Sequence, residues 1–588
     1  MGLLALKRLV SVRQDRKTRS RCGTSIAPVA KRKCSPCQQQ DDTRHQAAKR
    51  RRRSVPELPK DIWDHILSLL PLRDAARAGC VSRALSSSWT RLPNLTFTRE
   101  TLGLTGNACR KRELARTFEN RVYRVLRKHS GGGVKTFKLH HCGSGFNIRD
   151  LNRWLQIAVT PGIEEVVLSV LMICNNPIVA ETGAFKCLRA ELGHSNPAPC
   201  DLERDIEAAN LEERHRRKYR CGPHYGYEWV SYNFPCSVFS NGSGNSIRHL
   251  HLASCAFHPV AGLARLTRLQ LFKVDITGDE LGCLLSNSFA MEELNLTKCG
   301  NVIHLKIPCL LHRLNCLVVL QCGALKKIEN EAPNLWIVRI DSQPEKVPVG
   351  DVLQVKDLQM LDCSESNLVH YARAKLPSIM PNLETLSVES TGEMFNTPIL
   401  PVKFLYLKNL RIFLHDRAMK GFSPGYDYFS LVSFLDACPV LENFVLAVLQ
   451  ASVRHELISG DPHLRQMPEH RHGNIKNVTI KGFCAAKSMV ELTCHILENA
   501  TSLECLTLDT ICDDGSEDLD RTFDDGIARC CYTVLDWGML DEGYRGLRAI
   551  ERYIVGKVPS TVKLNVYKLS SRRYAIKPYE YSYANYLS

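Results

Sequence analysis

Thirteen times along the chain the same apolar pattern returns: one apolar residue, a second three positions on, and a third two further. It begins at Val134/Phe137/Leu139 and Ile163/Val166/Leu168, and resumes at Ile247/Leu250/Leu252, Leu266/Leu269/Leu271, Met291/Leu294/Leu296 and Leu314/Leu317/Val319. It continues through Leu335/Val338/Ile340, Val355/Leu358/Met360, Leu383/Leu386/Val388 and Leu407/Leu410/Ile412, and ends at Leu441/Phe444/Leu446, Ile475/Val478/Ile480 and Leu503/Leu506/Leu508. In an extended strand, residues two apart share a face, so Leu294 and Leu296 point to a core while Asn295 points away. From Leu250 to Leu410 the central residues fall 19, 25, 23, 21, 20, 28 and 24 positions apart, after which the intervals lengthen to 34, 34 and 28. A sandwich with strands every 8–12 residues or so is disfavoured by such spacing. The pattern predicts one strand per repeat in a curved parallel sheet, because one unit cannot bury its apolar face alone and stacked units can. The longer intervals leave room for helices near 431–437 and 488–499.

Upstream, residues 56–98 change period. Ile62, Ile66 and Leu69 or Leu70, then Ala75, Ala78 and Val81, recur at helical spacing, and Pro59 and Pro71 open two short helices. Leu58, Ile62, Ile66, Leu70, Leu72, Val81 and Trp89 are more apolar surface than one small helical hairpin can hide, so the segment asks for a docking partner. In order and spacing, Leu58-Pro59, Ile66-Leu67, Leu70-Pro71-Leu72-Arg73-Asp74, Val81-Ser82-Arg83 and Trp89 resemble an F-box. The thirteen repeats resemble leucine-rich repeats. The run Pro468-Glu469-His470-Arg471-His472-Gly473-Asn474-Ile475, with Glu491-Leu492-Thr493 and Leu497-Glu498-Asn499-Ala500, resembles the FBD domain of plant F-box proteins. Tyr371 to Pro377 and Phe422 to Leu431 are similar to the grass members of that group. The expected architecture is an α/β leucine-rich-repeat solenoid preceded by a small all-α F-box-like module.

Composition and charge change this picture at the ends. Of the +17 net charge on 588 residues, residues 1–55 carry thirteen units, with sixteen Lys and Arg against three Asp and Glu. That stretch reads as a disordered basic arm, and Lys49, Arg50, Arg51, Arg52 and Arg53 form a nuclear-import candidate. The folded remainder is nearly neutral, so nucleic-acid reading is not expected from it. The start of the chain is not read as a secretory signal, because Lys7 and Arg8 interrupt the apolar run early, and Leu6 argues against myristoylation of Gly2. No run approaches the roughly eighteen apolar residues of a spanning helix, so no membrane partner is expected. The 25 cysteines are scattered through strand-like runs and read as buried thiols in a reducing compartment, nucleus or cytoplasm. The full division is then 1–55 arm, 56–98 helical module, 99–133 helical linker, 134–467 repeats with a charged insertion near 181–230, 468–570 FBD-like region capping the repeats, and 571–588 tail.

Catalytic chemistry is not evident. Cys34-x-x-Cys37 lacks a second pair, and His249, His251, Cys255 and His258 alternate with strand residues instead of converging, so no metal site and no cofactor are expected. Gly131-Gly132-Gly133 has no following lysine–hydroxyl pair, and Cys530-Cys531 adjoins no evident His–acid pair. The family resemblance implies a non-catalytic substrate receptor of a Skp–cullin–F-box ubiquitin ligase. Its Skp-type adaptor would meet Leu58, Pro59, Ile66, Leu70, Pro71, Leu72 and Val81, some of which must instead fill the small core, with Trp89 a packing anchor. Its target protein would meet outward strand residues such as His249, His251, Arg268, Gln270, Glu293 and Asn295. The alternatives are a repeat scaffold with a degenerate F-box, or a chromatin- or RNA-associated protein working through the arm.

Overall fold

The computed structural model describes residues 59–567 except 82, 105–110, 130–132, 142–147, 171–172, 175–228, 231, 241, 260–262, 342–353, 362–366, 394, 416–424, 450–462, 466–469 and 513–536. The chain divides into two compact units, 1–57 and 58–588, and every described residue belongs to the second. The basic arm, Leu58, residues 181–228 of the charged insertion and the tail at 571–588 lie outside the described residues.

Three helices come first, α1 (Lys60–Ser68), α2 (Leu72–Gly79) and α3 (Arg83–Trp89). Strand β1 (Asn94–Phe97), helix α4 (Lys111–Lys128), β2 (Thr136–His141), α5 (Ile148–Ala158) and β3 (Glu165–Val170) follow. Next are β4 (Ile173–Cys174), β5 (Trp229–Val230), β6 (Tyr232–Asn233), β7 (His249–Ala253), β8 (Cys255–Ala256), β9 (Arg268–Phe272) and α6 (Gly278–Leu285). Then come β10 (Glu293–Thr297), β11 (His304–Ile307), β12 (Cys316–Leu320), β13 (Lys327–Asn330), β14 (Ile337–Ile340), β15 (Asp357–Leu361), α7 (Leu368–Ile379), β16 (Thr385–Ser390) and β17 (Asn409–Leu414). The last are α8 (Val432–Ala437), β18 (Asn443–Val448), β19 (Asn477–Lys481), α9 (Lys487–Asn499), β20 (Cys505–Asp509), α10 (Trp537–Ala549) and β21 (Lys563–Tyr567).

Fifteen of these strands form one parallel sheet in the order β1, β2, β3, β7, β9, β10, β12, β14 to β21. All thirteen repeat units read from the sequence supply a strand, and the register stacks like on like: Leu250 beside Leu269, Leu294, Leu317 and Val338. These side chains are buried together with the second apolar column, Leu252, Leu271, Leu296, Val319 and Ile340. The helices foreseen in the long intervals appear as α8 and α9.

The sheet extends one strand beyond the expected array at each end. Leu92, Leu95 and Phe97 carry the repeat pattern, and β1 pairs with β2, its Phe97 ring meeting Phe137 edge-on at 5.9 Å. The sheet thus begins at Asn94, inside the segment 56–98 and ahead of position 134, where the repeat pattern was first read. At the far end β21 pairs with β20, although its leading position is Thr561. The region read as FBD-like contributes β19, β20 and β21 to the same sheet.

One turn recurs at the strand ends. Ser254, Lys273, Lys298 and Gln321 each follow a strand directly and hold a left-handed φ of 52–58°. The amides of the first three donate to Phe272, Thr297 and Leu320 O at 2.7–2.8 Å, which extends the ladder while the chain turns Cys255, Val274, Cys299 and Cys322 inward. Gly482 fills the same place after β19 with φ 70°. There a Cβ would stand 1.8 Å from Val448 O, so a side chain that other repeats accept is excluded. Gly482→Ala is expected to destabilise the repeats by about 3 kcal/mol or more. Urea unfolding followed by circular dichroism checks this, and an unchanged midpoint would count against the close approach.

Candidate functional site

Helix α1 carries two apolar stripes side by side. Trp63, Leu67 and Leu70, at i, i+4 and i+7, turn inward; Leu67 is fully buried, and Trp63 and Leu70 pack partly against the core. Ile62, Ile66 and Leu69 form the neighbouring stripe, and it has no cover: Ile62 is 40% exposed, Leu69 68%, and Ile66 is half-buried. Pro59 and Pro71 precede α1 and α2 as exposed N-caps, their carbonyls accepting the first helical amides of Ile62, Trp63, Asp74 and Ala75. In α2, Leu72, Ala75 and Gly79 face inward, and Val81 just beyond it is 66% exposed. The half-buried Trp89 indole lies against Gly79, where a Cβ would sit 2.6 Å from its Cδ1, so the glycine makes room for the anchor. Arg91 grips both oxygens of Asp64 at 3.1 Å and ties α1 to the segment that enters β1.

On the other side of the sheet, the six outward residues singled out from the sequence form one patch. Parallel register sets His249, Arg268 and Glu293 side by side, with His251, Gln270 and Asn295 in the next row. Arg268 Nε meets Glu293 Oε2 at 2.7 Å, and Gln270 donates to Glu293 Oε1 at 3.2 Å. Burial, then the Arg268 charge, pushes His249 below the ordinary histidine range. Lys138 pairs with Glu165 at 2.9 Å beside them, so charges of both signs alternate across the strands. His251 and Asn295 are nearly buried, so the accessible part of the patch is His249, Arg268, Gln270 and Glu293. Farther along the same row an amide ladder runs from Asn477 to Asn443 at 3.0 Å and from Asn443 to Asn409 at 2.8 Å.

Residues 55–97 match the F-box domain, and residues 125–179 and 224–571 match the family described as the At1g61320/AtMIF1 LRR domain. The chain belongs to that leucine-rich-repeat family. With its F-box it is an F-box/FBD/leucine-rich-repeat protein of the plant type. It is 29% identical over 151 residues to the Arabidopsis thaliana F-box/LRR-repeat protein At3g59200, covering 26% of this chain and 28% of that one. It is 23% identical over 269 residues to the Arabidopsis putative FBD-associated F-box protein At1g61330, covering 42% and 58%. The matched regions thus span between about a quarter and three fifths of those relatives' lengths. A leucine-rich-repeat protein of Bacteroides ovatus aligns over 55% of this chain and 82% of its own at 11% identity with a TM-score of 0.11, too weak a superposition to carry an argument.

The F-box residues expected at the adaptor divide three ways. Pro59, Pro71 and Val81 are exposed, Ile66 and Leu70 are half-buried, and Leu72, 6% exposed, belongs to the core because it is the first inward position of α2. Leu58 and the import candidate Lys49 to Arg53 lie outside the described residues. Ile62 and Leu69, exposed on either side of Ile66, were not among the expected contact residues; their i, i+7 relation was the available signal. Leu72→Ala is expected to cost about 2–5 kcal/mol, whereas Leu69→Ala and Val81→Ala stay within about 0.5 kcal/mol. Thermal melts of the three variants check this division, and a large loss at Leu69 or Val81 would contradict it.

Proposed function

We propose that this F-box protein is the substrate-receptor subunit of a Skp–cullin–F-box ubiquitin ligase. The observation that carries the reading is the uncovered stripe Ile62, Ile66 and Leu69, with Val81, on a module whose core is already filled by Leu67, Leu72, Ala75 and Leu85. Withdrawing one such side chain from water is worth about 1.5–3 kcal/mol, which suits a Skp-type adaptor laid across the helices. The repeats would hold the target protein on their polar face, with Arg268 and Glu293 its accessible charged pair. The chain itself would make and break no bond; it would raise the effective concentration of a target lysine at a ubiquitin-loaded enzyme. The basic run at 49–53 supports a nuclear location beside a cytoplasmic one. Among the described residues no helix is long and apolar enough to cross a membrane.

The test is co-purification of the full chain with a plant Skp-type adaptor, beside the double variant Leu69→Asp/Val81→Asp. Stoichiometric binding that the variant loses, at an unchanged melting temperature, is the expected outcome. An intact chain that binds no adaptor would leave a repeat scaffold with a degenerate F-box.

A further inference from the structure

No metal-ligand set is legible in the sequence, yet the fold assembles one behind the sheet. Asp436 on α8, His472 in the segment entering β19 and His495 on α9 bring one ligand atom each to within 4.8 Å of the others. His472 Nε2 lies 3.5 Å from His495 Nε2 and 3.7 Å from Asp436 Oδ1. Both separations exceed the usual hydrogen-bond length of about 2.7–3.2 Å, so the two rings share at most a long, weak hydrogen bond and Asp436 lies farther still. Asp436 Oδ1 is buried and makes no hydrogen bond at all. A tetrahedral Zn2+ with bonds of about 2.0–2.1 Å spaces its ligand atoms roughly 3.3–3.5 Å apart, close to the two distances found.

We propose that Asp436, His472 and His495 form a Zn2+ site, with solvent as the fourth ligand. The His470 ring stands 5.3 Å from that of His472 and is exposed. The rings are aimed by contacts outside the cluster. The His472 amide donates to Asn499 O at 2.9 Å, Asn499 Nδ2 lies 3.3 Å from His495 Nδ1, and the Phe429 ring meets His495 edge-on. These contacts hold the two histidines in place, with their Nε2 atoms 3.5 Å apart. The positive charges of Arg373 and Lys403 also act on Asp436 and oppose a cation there.

The ion would pin α8 to α9 and to the approach of β19, joining successive repeats. A second tie spans the same elements: Arg465 holds Asp427 before α8 at 2.7 Å and the buried Glu491 of α9 at 2.6 Å. Zinc would thus lock the FBD-like region onto the preceding repeats.

Full-length protein purified without chelator, then dialysed, should carry one Zn2+ per chain by elemental analysis, and chelation should lower its melting temperature by several degrees. His472→Ala and His495→Ala should each weaken Zn2+ binding roughly 100-fold or more, while Arg471→Ala should not. Should the histidine variants fail to fold, Co2+ replacement in the wild-type chain still decides. Visible bands of four-coordinate cobalt without a sulfur-to-cobalt charge-transfer band are expected. A dialysed chain without zinc, retention of zinc by both histidine variants, or a cobalt spectrum dominated by thiolate would overturn the proposal, the last two assigning the metal to cysteines such as Cys80, Cys283 or Cys309.

Discussion

Everything in this protein depends on the fact that no repeat can close its own core. Leu294 and Leu296 are fully buried only because β9 lies on one side and β12 on the other, each with its own pair in register. Backbone hydrogen bonds of the parallel ladder and burial of the apolar columns therefore come from the same stacking step, and neither is available to an isolated unit. The helical module is joined to this stack by the Arg91–Asp64 pair and by β1, which begins five residues after Trp89. The helical module and the repeats are thus tied together, and in the proposed role this connection would let a receptor position its target.

The polar face shows how little side-chain freedom such stacking leaves. Neighbouring strands bring like positions together, so outward residues meet their own counterparts: asparagines pair with asparagines from Asn409 to Asn477, and Arg268 pairs with Glu293. His251 and Asn295 are crowded into near burial by that closeness. Outward direction in a strand is therefore not the same as access to a partner. The Arg268–Glu293 pair is partly exposed and its net contribution to stability is small, so its value lies in presenting both charges at a fixed spacing.

Much of the fold was legible in the sequence because the i, i+3, i+5 pattern reports burial directly, and all thirteen occurrences became strands of one sheet. The two strands missed have particular reasons. Leu92, Leu95 and Phe97 fit the pattern but follow a helical segment so closely that they were grouped with it, and β21 hides behind Thr561, a polar lead residue. The uncovered stripe was half legible: helical spacing shows that α1 is apolar over a wide arc, but only packing tells that Leu67 goes in while Leu69 stays out. The Asp436, His472 and His495 group was not legible at all. Its members lie 36 and 23 positions apart and meet only because successive repeats stack side by side.

The central claim is that the uncovered stripe of the F-box, and not the repeats, receives a Skp-type adaptor. Hydrogen–deuterium exchange of the full chain with and without that adaptor tests it most directly. New protection confined to α1, α2 and the turn at Val81, with the strands from β7 to β20 unchanged, is the result expected. Protection spread over the polar face of the repeats, or none on α1 in a complex that does form, would contradict it.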